Sequence, residues 1–366
     1  MRSSILLASL VVSSLLIAST AEANKTRLDI VWGGTSGTTV FIHGKDNCSE
    51  PSLASFNASC GNDPRGYWLN STSDGGDGHD FMDEATIKVN SDGSLTTFEA
   101  IAVRYDGENQ SFEAATNDVA ACLMDLAAGT NASGCNTSLI RRTSFTIVVH
   151  SMGGAIIDRI LSSNFWPKLT GTGGAILGSP VTSAGALAGA KSASALFGVD
   201  GASNFCTSLV GFVAGWALKN AGGQSLTRGS VIGEARNGLA GKSPRWVLKV
   251  TSTGGSGSCN NNSVDSIAES VNDTPLGLLC GCVGFSSSDD TDGILWQFDT
   301  DPTSNPSGSN GGKLRAEYTG LYWHWVASFA NHSHNRNDAY VRKYGFQTSN
   351  ACFPISPGTC VGQFAR

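Results

Sequence analysis

The sequence predicts an α/β fold, a mainly parallel central sheet with helices on both faces, and two features of the chain lead there. Short runs of β-branched and aromatic residues alternate with stretches whose apolar residues recur at helical spacing. The runs themselves are almost continuously apolar, as strands covered on both sides must be. Composition permits such a core: of 366 residues, 40% are hydrophobic and only 15% are charged. The net charge of −6 argues against an electrostatic grip on nucleic acid or on an anionic membrane.

Residues 1–23 read as a secretory signal, with Arg2 at the start, an apolar stretch over 5–17, and Ala21-Glu22-Ala23 as the cleavage site. Ser9, Ser13 and Ser14 interrupt the apolar stretch, which is short for a bilayer, so no transmembrane segment is expected. The mature chain, 24–366, then reads as one secreted domain, extracellular or periplasmic, and as a monomer. Thr38 to Ile42 form a strand ending at His43-Gly44, and residues 98–105 form a second. Phe112 to Ala128 place Val119, Leu123 and Leu126 at helical spacing. A strand over 144–149 runs into a helix over 153–161, and short strands follow at 174–177 and 245–251.

Three segments break this rhythm. Residues 48–83 form a long polar loop rich in Gly, Asp and Ser, a length that points to function or tethering. Residues 182–203 are mostly Ala, Gly and Ser and lead into the apolar run 209–218. That run is too short to cross a bilayer, so it reads as a core helix or as a lid, within a cap inserted at about 182–244. Residues 252–262 are the third. The 10 cysteines all follow the signal, and their even number in an exported chain favours disulfides. Cys48–Cys60, Cys122–Cys135 and Cys352–Cys360 are plausible local pairs; Cys206, Cys259, Cys280 and Cys282 can pair in more than one way. Cys280-Gly-Cys282 lacks the spacing of a zinc knuckle. Asn-x-Ser/Thr triplets, as at Asn57, Asn70, Asn131 and Asn331, follow from composition, and no glycan is predicted.

The chemistry concentrates in Val148-Val149-His150-Ser151-Met152-Gly153-Gly154, where a strand turns into a helix. A serine on so sharp a turn projects its hydroxyl above the sheet, and the helix N-terminus aimed at it favours a developing negative charge. The alternative for Ser151 is an ordinary helix cap.

With these residues the chain resembles the α/β-hydrolase superfamily, especially its secreted lipases and esterases. Phe41-Ile42-His43-Gly44 is similar to the family's His-Gly after its first central strand, and Ile176-Leu177-Gly178-Ser179-Pro180 to its Gly-x-Pro turn. Asp292-Gly293-Ile294-Leu295 resembles the family's acid loop. One departure is Val149, which stands where the family box has its first glycine and adds bulk between strand and helix. The resemblance implies Ser151 as nucleophile, the amides of Lys45 and Met152 as oxyanion donors, and the chain order serine, acid, histidine. His332 is the leading base, in the polar segment 331–338, with His334 and His324 as the other choices. Asp292 is the leading acid, ahead of Asp289, Asp290 and Asp265. The Asp289–Asp292 cluster also suits turn chemistry or a structural calcium ion. No cofactor is required by this chemistry. The resemblance implies hydrolysis of carboxylic esters, with a lipid or a polyester as substrate. An acyltransferase using the same triad and an inactive fold that only binds are the other readings.

Overall fold

The computed structural model describes residues 26–45, 65–68, 81–89, 92–163, 165–177, 181–183, 185–186, 224, 226 and 249–251. Among these residues eight strands follow in chain order: β1 (Arg27–Trp32), β2 (Thr38–Ile42), β3 (Ile87–Val89), β4 (Leu95–Thr97), β5 (Glu99–Arg104), β6 (Thr146–His150), β7 (Val181–Ser183) and β8 (Lys249–Thr251). Among the described residues four α-helices accompany them: α1 (Phe81–Thr86), α2 (Phe112–Ala128), α3 (Met152–Ser162) and α4 (Pro167–Thr170). Among the described residues, six strands form one mixed sheet in the order β1-β5-β2-β6-β7-β8. β1 runs antiparallel to β5, and every other neighbouring pair is parallel. β3 and β4 make a separate antiparallel hairpin.

Strand order decides where the helices lie. The crossovers β5–α2–β6 and β6–α3–β7 both step the same way across the sheet, whereas the connection from β2 to β5 steps back. Right-handed crossovers therefore put α2 and α3 on one face and α1 on the other. The core agrees. Val40, Ile42, Ile101, Val103, Ile147 and Val149 join Val119, Leu123, Ile156 and Ile160 in one buried cluster. The alternate residues Phe41, Ala100, Ala102 and Val148 are equally buried but outside that cluster. Phe41 instead meets the edge of Trp68, ring centroids 5.4 Å apart, from the 3₁₀ turn Gly66–Trp68.

α2 occupies the span its periodicity predicts, and its ends explain why. Ser111 is extended and its hydroxyl accepts from the Ala114 amide at 3.2 Å, while Gly129 closes the helix at φ 71°. Cys122 and Cys135 form a disulfide, as the sequence suggests. Cys48, Cys60, Cys206, Cys259, Cys280, Cys282, Cys352 and Cys360 lie outside the described residues. So do the signal 1–23, most of the cap at 182–244, and the segment 252–262. Among the described residues no helix is long and apolar enough to cross a membrane.

Three sequence expectations need correction. The strand expected at 174–177 is a single bridge between Phe145 and Ile176. The amides of Ala175 and Ile176 donate to the carbonyls of Lys168 and Leu169 in α4, at 2.9 and 3.2 Å, and are lost to the sheet. The ladder resumes only at β7, so Thr182 and Ser183 belong to the sheet and not to the inserted tract. The loop expected to run to residue 83 ends earlier, because α1 begins at Phe81 and buries Met82 and Ala85. β1, at the edge of the sheet, was not anticipated.

Candidate active site

β6 ends at His150 and α3 begins at Met152, leaving one residue to reverse the chain. That residue is Ser151, and it adopts φ 54°, ψ −125°, a conformation that side chains other than hydrogen rarely accept. Its hydroxyl makes no capping bond to the helix, in contrast to Ser111 at the head of α2. Ser151 therefore does not serve as the helix cap that a serine at this position would ordinarily be. Its carbonyl is well used, accepting from the amides of Gly154 at 3.0 Å and Ala186 at 2.8 Å.

Two glycines let the chain close on this turn. A Cβ on Gly153 would lie 2.6 Å from the carbonyl oxygens of both Ile42 and His43, so α3 begins pressed against the end of β2. A Cβ on Gly44 would lie 2.7 Å from Ser151 Cβ, 3.2 Å from its Oγ and 2.2 Å from the Tyr67 hydroxyl. The bulk of Val149, expected to crowd the elbow, is absorbed elsewhere. Its side chain points into the α2–α3 core and is fully buried, while its backbone pairs with Ile42 and Thr182.

The loop after β2 is held by a ring-lined network. The Tyr105 amide is an obligate donor and reaches His43 Nε2 at 3.1 Å, so that nitrogen accepts and the His43 proton sits on Nδ1. Nδ1 donates to the Gly44 carbonyl at 2.8 Å. The Tyr105 hydroxyl donates to the carbonyls of His43 at 3.0 Å and Gly44 at 2.9 Å. The His43 ring stacks on Tyr105 at 4.1 Å and meets Tyr67 at 5.3 Å. Tyr67 in turn shares a 2.6 Å hydrogen bond with His150 Nδ1.

Of the residues singled out by sequence, Ser151, Met152 and Lys45 lie within the described residues. Met152 is the first residue of α3, and Lys45 directly follows Gly44, where an added Cβ would meet Ser151. Asp292, His332, His334, His324, Asp265, Asp289 and Asp290 lie outside the described residues. Sequence reading missed Tyr67, Tyr105 and the His43 and His150 side chains. The signal for Tyr105 was the register: Ile42 pairs with Val103, which carries His43 and Tyr105 to the same end of neighbouring strands. Tyr67 had no signal beyond the unusual length of its loop.

No family model matches the chain, and no curated protein does. Among solved structures, it is similar to an inhibited esterase B from Lactobacillus rhamnosis, at 10% identity and a TM-score of 0.27. That alignment covers 70% of this chain and 73% of the other. The architecture described above rests on its own strand order and burial, not on that likeness.

Proposed function

We propose that the chain is a serine hydrolase of α/β-hydrolase fold that cleaves carboxylic esters through an acyl-enzyme on Ser151. The observation that carries this reading is the backbone of Ser151. A non-glycine residue is held at positive φ between a strand and a helix, its hydroxyl withheld from capping, under a glycine loop. Strain of this kind costs about 1–3 kcal/mol and persists where surrounding structure imposes it.

In the proposed reaction His332 accepts the Ser151 proton as Oγ attacks the ester carbonyl, and Asp292 holds the imidazole in the required tautomer. The carbonyl oxygen becomes an oxyanion received by the amides of Met152 and Lys45, each worth about 3 kcal/mol. The α3 N-terminus adds its positive end to the same place. His332 then protonates the leaving alcohol, and water, deprotonated by the same imidazole, releases the acid and restores Ser151. Export through residues 1–23 is part of this proposal, and the Cys122–Cys135 disulfide supports it, since such bonds persist in oxidising compartments.

The test is turnover of nitrophenyl esters from short to long acyl chains by the mature protein and by Ser151→Ala. Hydrolysis by the parent with a loss of about 10⁴-fold or more in the variant, both folded by circular dichroism, is the expected result. Equal rates in the two proteins would refute the nucleophile. The acyl length giving the highest kcat/KM separates an esterase or polyester enzyme from a lipase.

A further inference from the structure

We infer that Tyr105 is a positioning residue for the oxyanion site, acting through the peptide bond between Gly44 and Lys45; this rests on the reading of Ser151 as nucleophile. The argument follows strand order. β5, β2 and β6 are consecutive neighbours in the sheet, and their C-terminal ends carry Tyr105, the His43–Lys45 loop and Ser151 respectively. The loop therefore lies between the tyrosine and the serine. The Tyr105 hydroxyl, on a fully buried residue, donates to the carbonyls of both His43 and Gly44. A trans peptide places its N–H opposite its C=O, and no peptide bond in the described chain is cis. With the Gly44 carbonyl held by Tyr105 and His43, the Lys45 N–H faces away from both, on a peptide whose Gly44 stands in contact range of Ser151.

A flipped Gly44–Lys45 peptide would present a carbonyl to the developing oxyanion and repel it. The loop has no side chain at Gly44 to prevent such a flip, and glycine permits it. Tyr105 supplies the missing restraint: its hydroxyl proton is shared between two successive carbonyls, so both must face it together. The His43 Nδ1–H bond to the same Gly44 oxygen reinforces the orientation. Tyr105 does not touch the reacting atoms; it fixes which pole of a peptide they meet.

The experiment compares the mature parent, Tyr105→Phe, Lys45→Pro, the double variant and Ser151→Ala. Tyr105→Phe keeps the ring stacked on His43 and removes only the donor. Each protein is assayed well below its own melting midpoint, with KM, kcat and the affinity for a trifluoromethyl ketone that forms a tetrahedral adduct. The expected result is a fall of about 10- to 100-fold in kcat for Tyr105→Phe, with KM within about twofold. The ketone should bind more weakly by the same factor as kcat/KM falls. Lys45→Pro, which deletes the N–H itself, should show the same split, and adding Tyr105→Phe to it should change nothing further. Tyr105→Phe with parental kcat and ketone affinity, beside an inactive Ser151→Ala, would overturn the positioning role alone. Multiplying effects in the double variant would overturn it as well. A fully active Ser151→Ala would overturn the nucleophile and the positioning role with it.

Discussion

Asp125, near the end of α2, and Ser151, at the end of β6, are 3% and 6% exposed, and the protein treats them in opposite ways. Asp125 Oδ1 accepts from the Thr130 hydroxyl at 2.5 Å and the Ala132 amide at 3.0 Å; Oδ2 accepts from the Ser133 amide at 2.7 Å and its hydroxyl at 2.6 Å. Asn136, fully buried beside it, donates to the carbonyls of Thr130 and Ile140 and accepts from the Ile140 amide. The Cys122–Cys135 bond closes the same loop. Around Ser151 the saturated groups are backbone carbonyls and neighbouring rings, while the hydroxyl of the residue itself caps nothing and its φ is positive. A buried polar group that is fully partnered is building material. One held in strain by well-partnered neighbours is available for chemistry.

Substitutions at the two places should separate steric from electrostatic support. The largest effect is expected for Gly153→Ala, whose new methyl would meet two backbone carbonyls that cannot step aside. A stability loss of about 3 kcal/mol and loss of turnover are expected, read by denaturant unfolding and ester assay. Gly134→Ala, in the α2 loop at φ 82° with nothing within 4 Å of the added carbon, should cost only about 1 kcal/mol from its backbone angle. Equal losses at the two glycines would remove the claim that α3 is wedged against β2.

Asp125→Asn comes next. The substitution turns one acceptor into a donor facing donors, at a cost of about 2 kcal/mol, with ester turnover unchanged. Burial pushes the Asp125 carboxyl up, but the hydrogen bonds from Ser133, Thr130 and Ala132 outweigh it and hold it below its ordinary value. Glu99 behaves alike: burial raises it, and the Arg142 ion pair and the Thr38 hydroxyl together bring it lower. Both folded values are depressed, so the stabilisation is complete above the ordinary carboxylate range of about 4 and is lost as pH falls through the folded values. The parent should therefore lose stability below about pH 4, and Asp125→Asn should lose it less steeply over that window. Identical acid profiles would show that the carboxylate carries no linkage.

The smallest effect has the opposite sign. Ser151→Gly should raise stability by about 1 kcal/mol, because glycine accepts φ 54° and relieves strain, less the entropy that glycine adds to the unfolded chain. A destabilised Ser151→Gly would mean that the turn is relaxed and that its geometry has no bearing on function.

Much of this was legible along the chain, and for local reasons. The helical spacing of Val119, Leu123 and Leu126 marks α2, and continuous apolar runs announce β2, β5 and β6. Ser151 was legible because strand, serine, paired glycines and helix occur in direct succession. What could not be read depends on pairing over long separations. β1 alternates Arg27 and Asp29 with apolar residues as an edge strand does, but only its antiparallel register with β5 reveals its place. The lost strand at 174–177 needed the knowledge that α4 claims its amides. Tyr105 and Tyr67 reach the site only after β5 and a distant loop have been laid beside β2.

The most direct measurement is the mass of the intact mature protein after treatment with an alkyl fluorophosphonate, followed by peptide mapping. The account predicts one phosphonyl group per chain, on Ser151, formed as its oxygen displaces fluoride, and none on Ser151→Ala. An unmodified folded protein, or an adduct that maps to another residue, would contradict it.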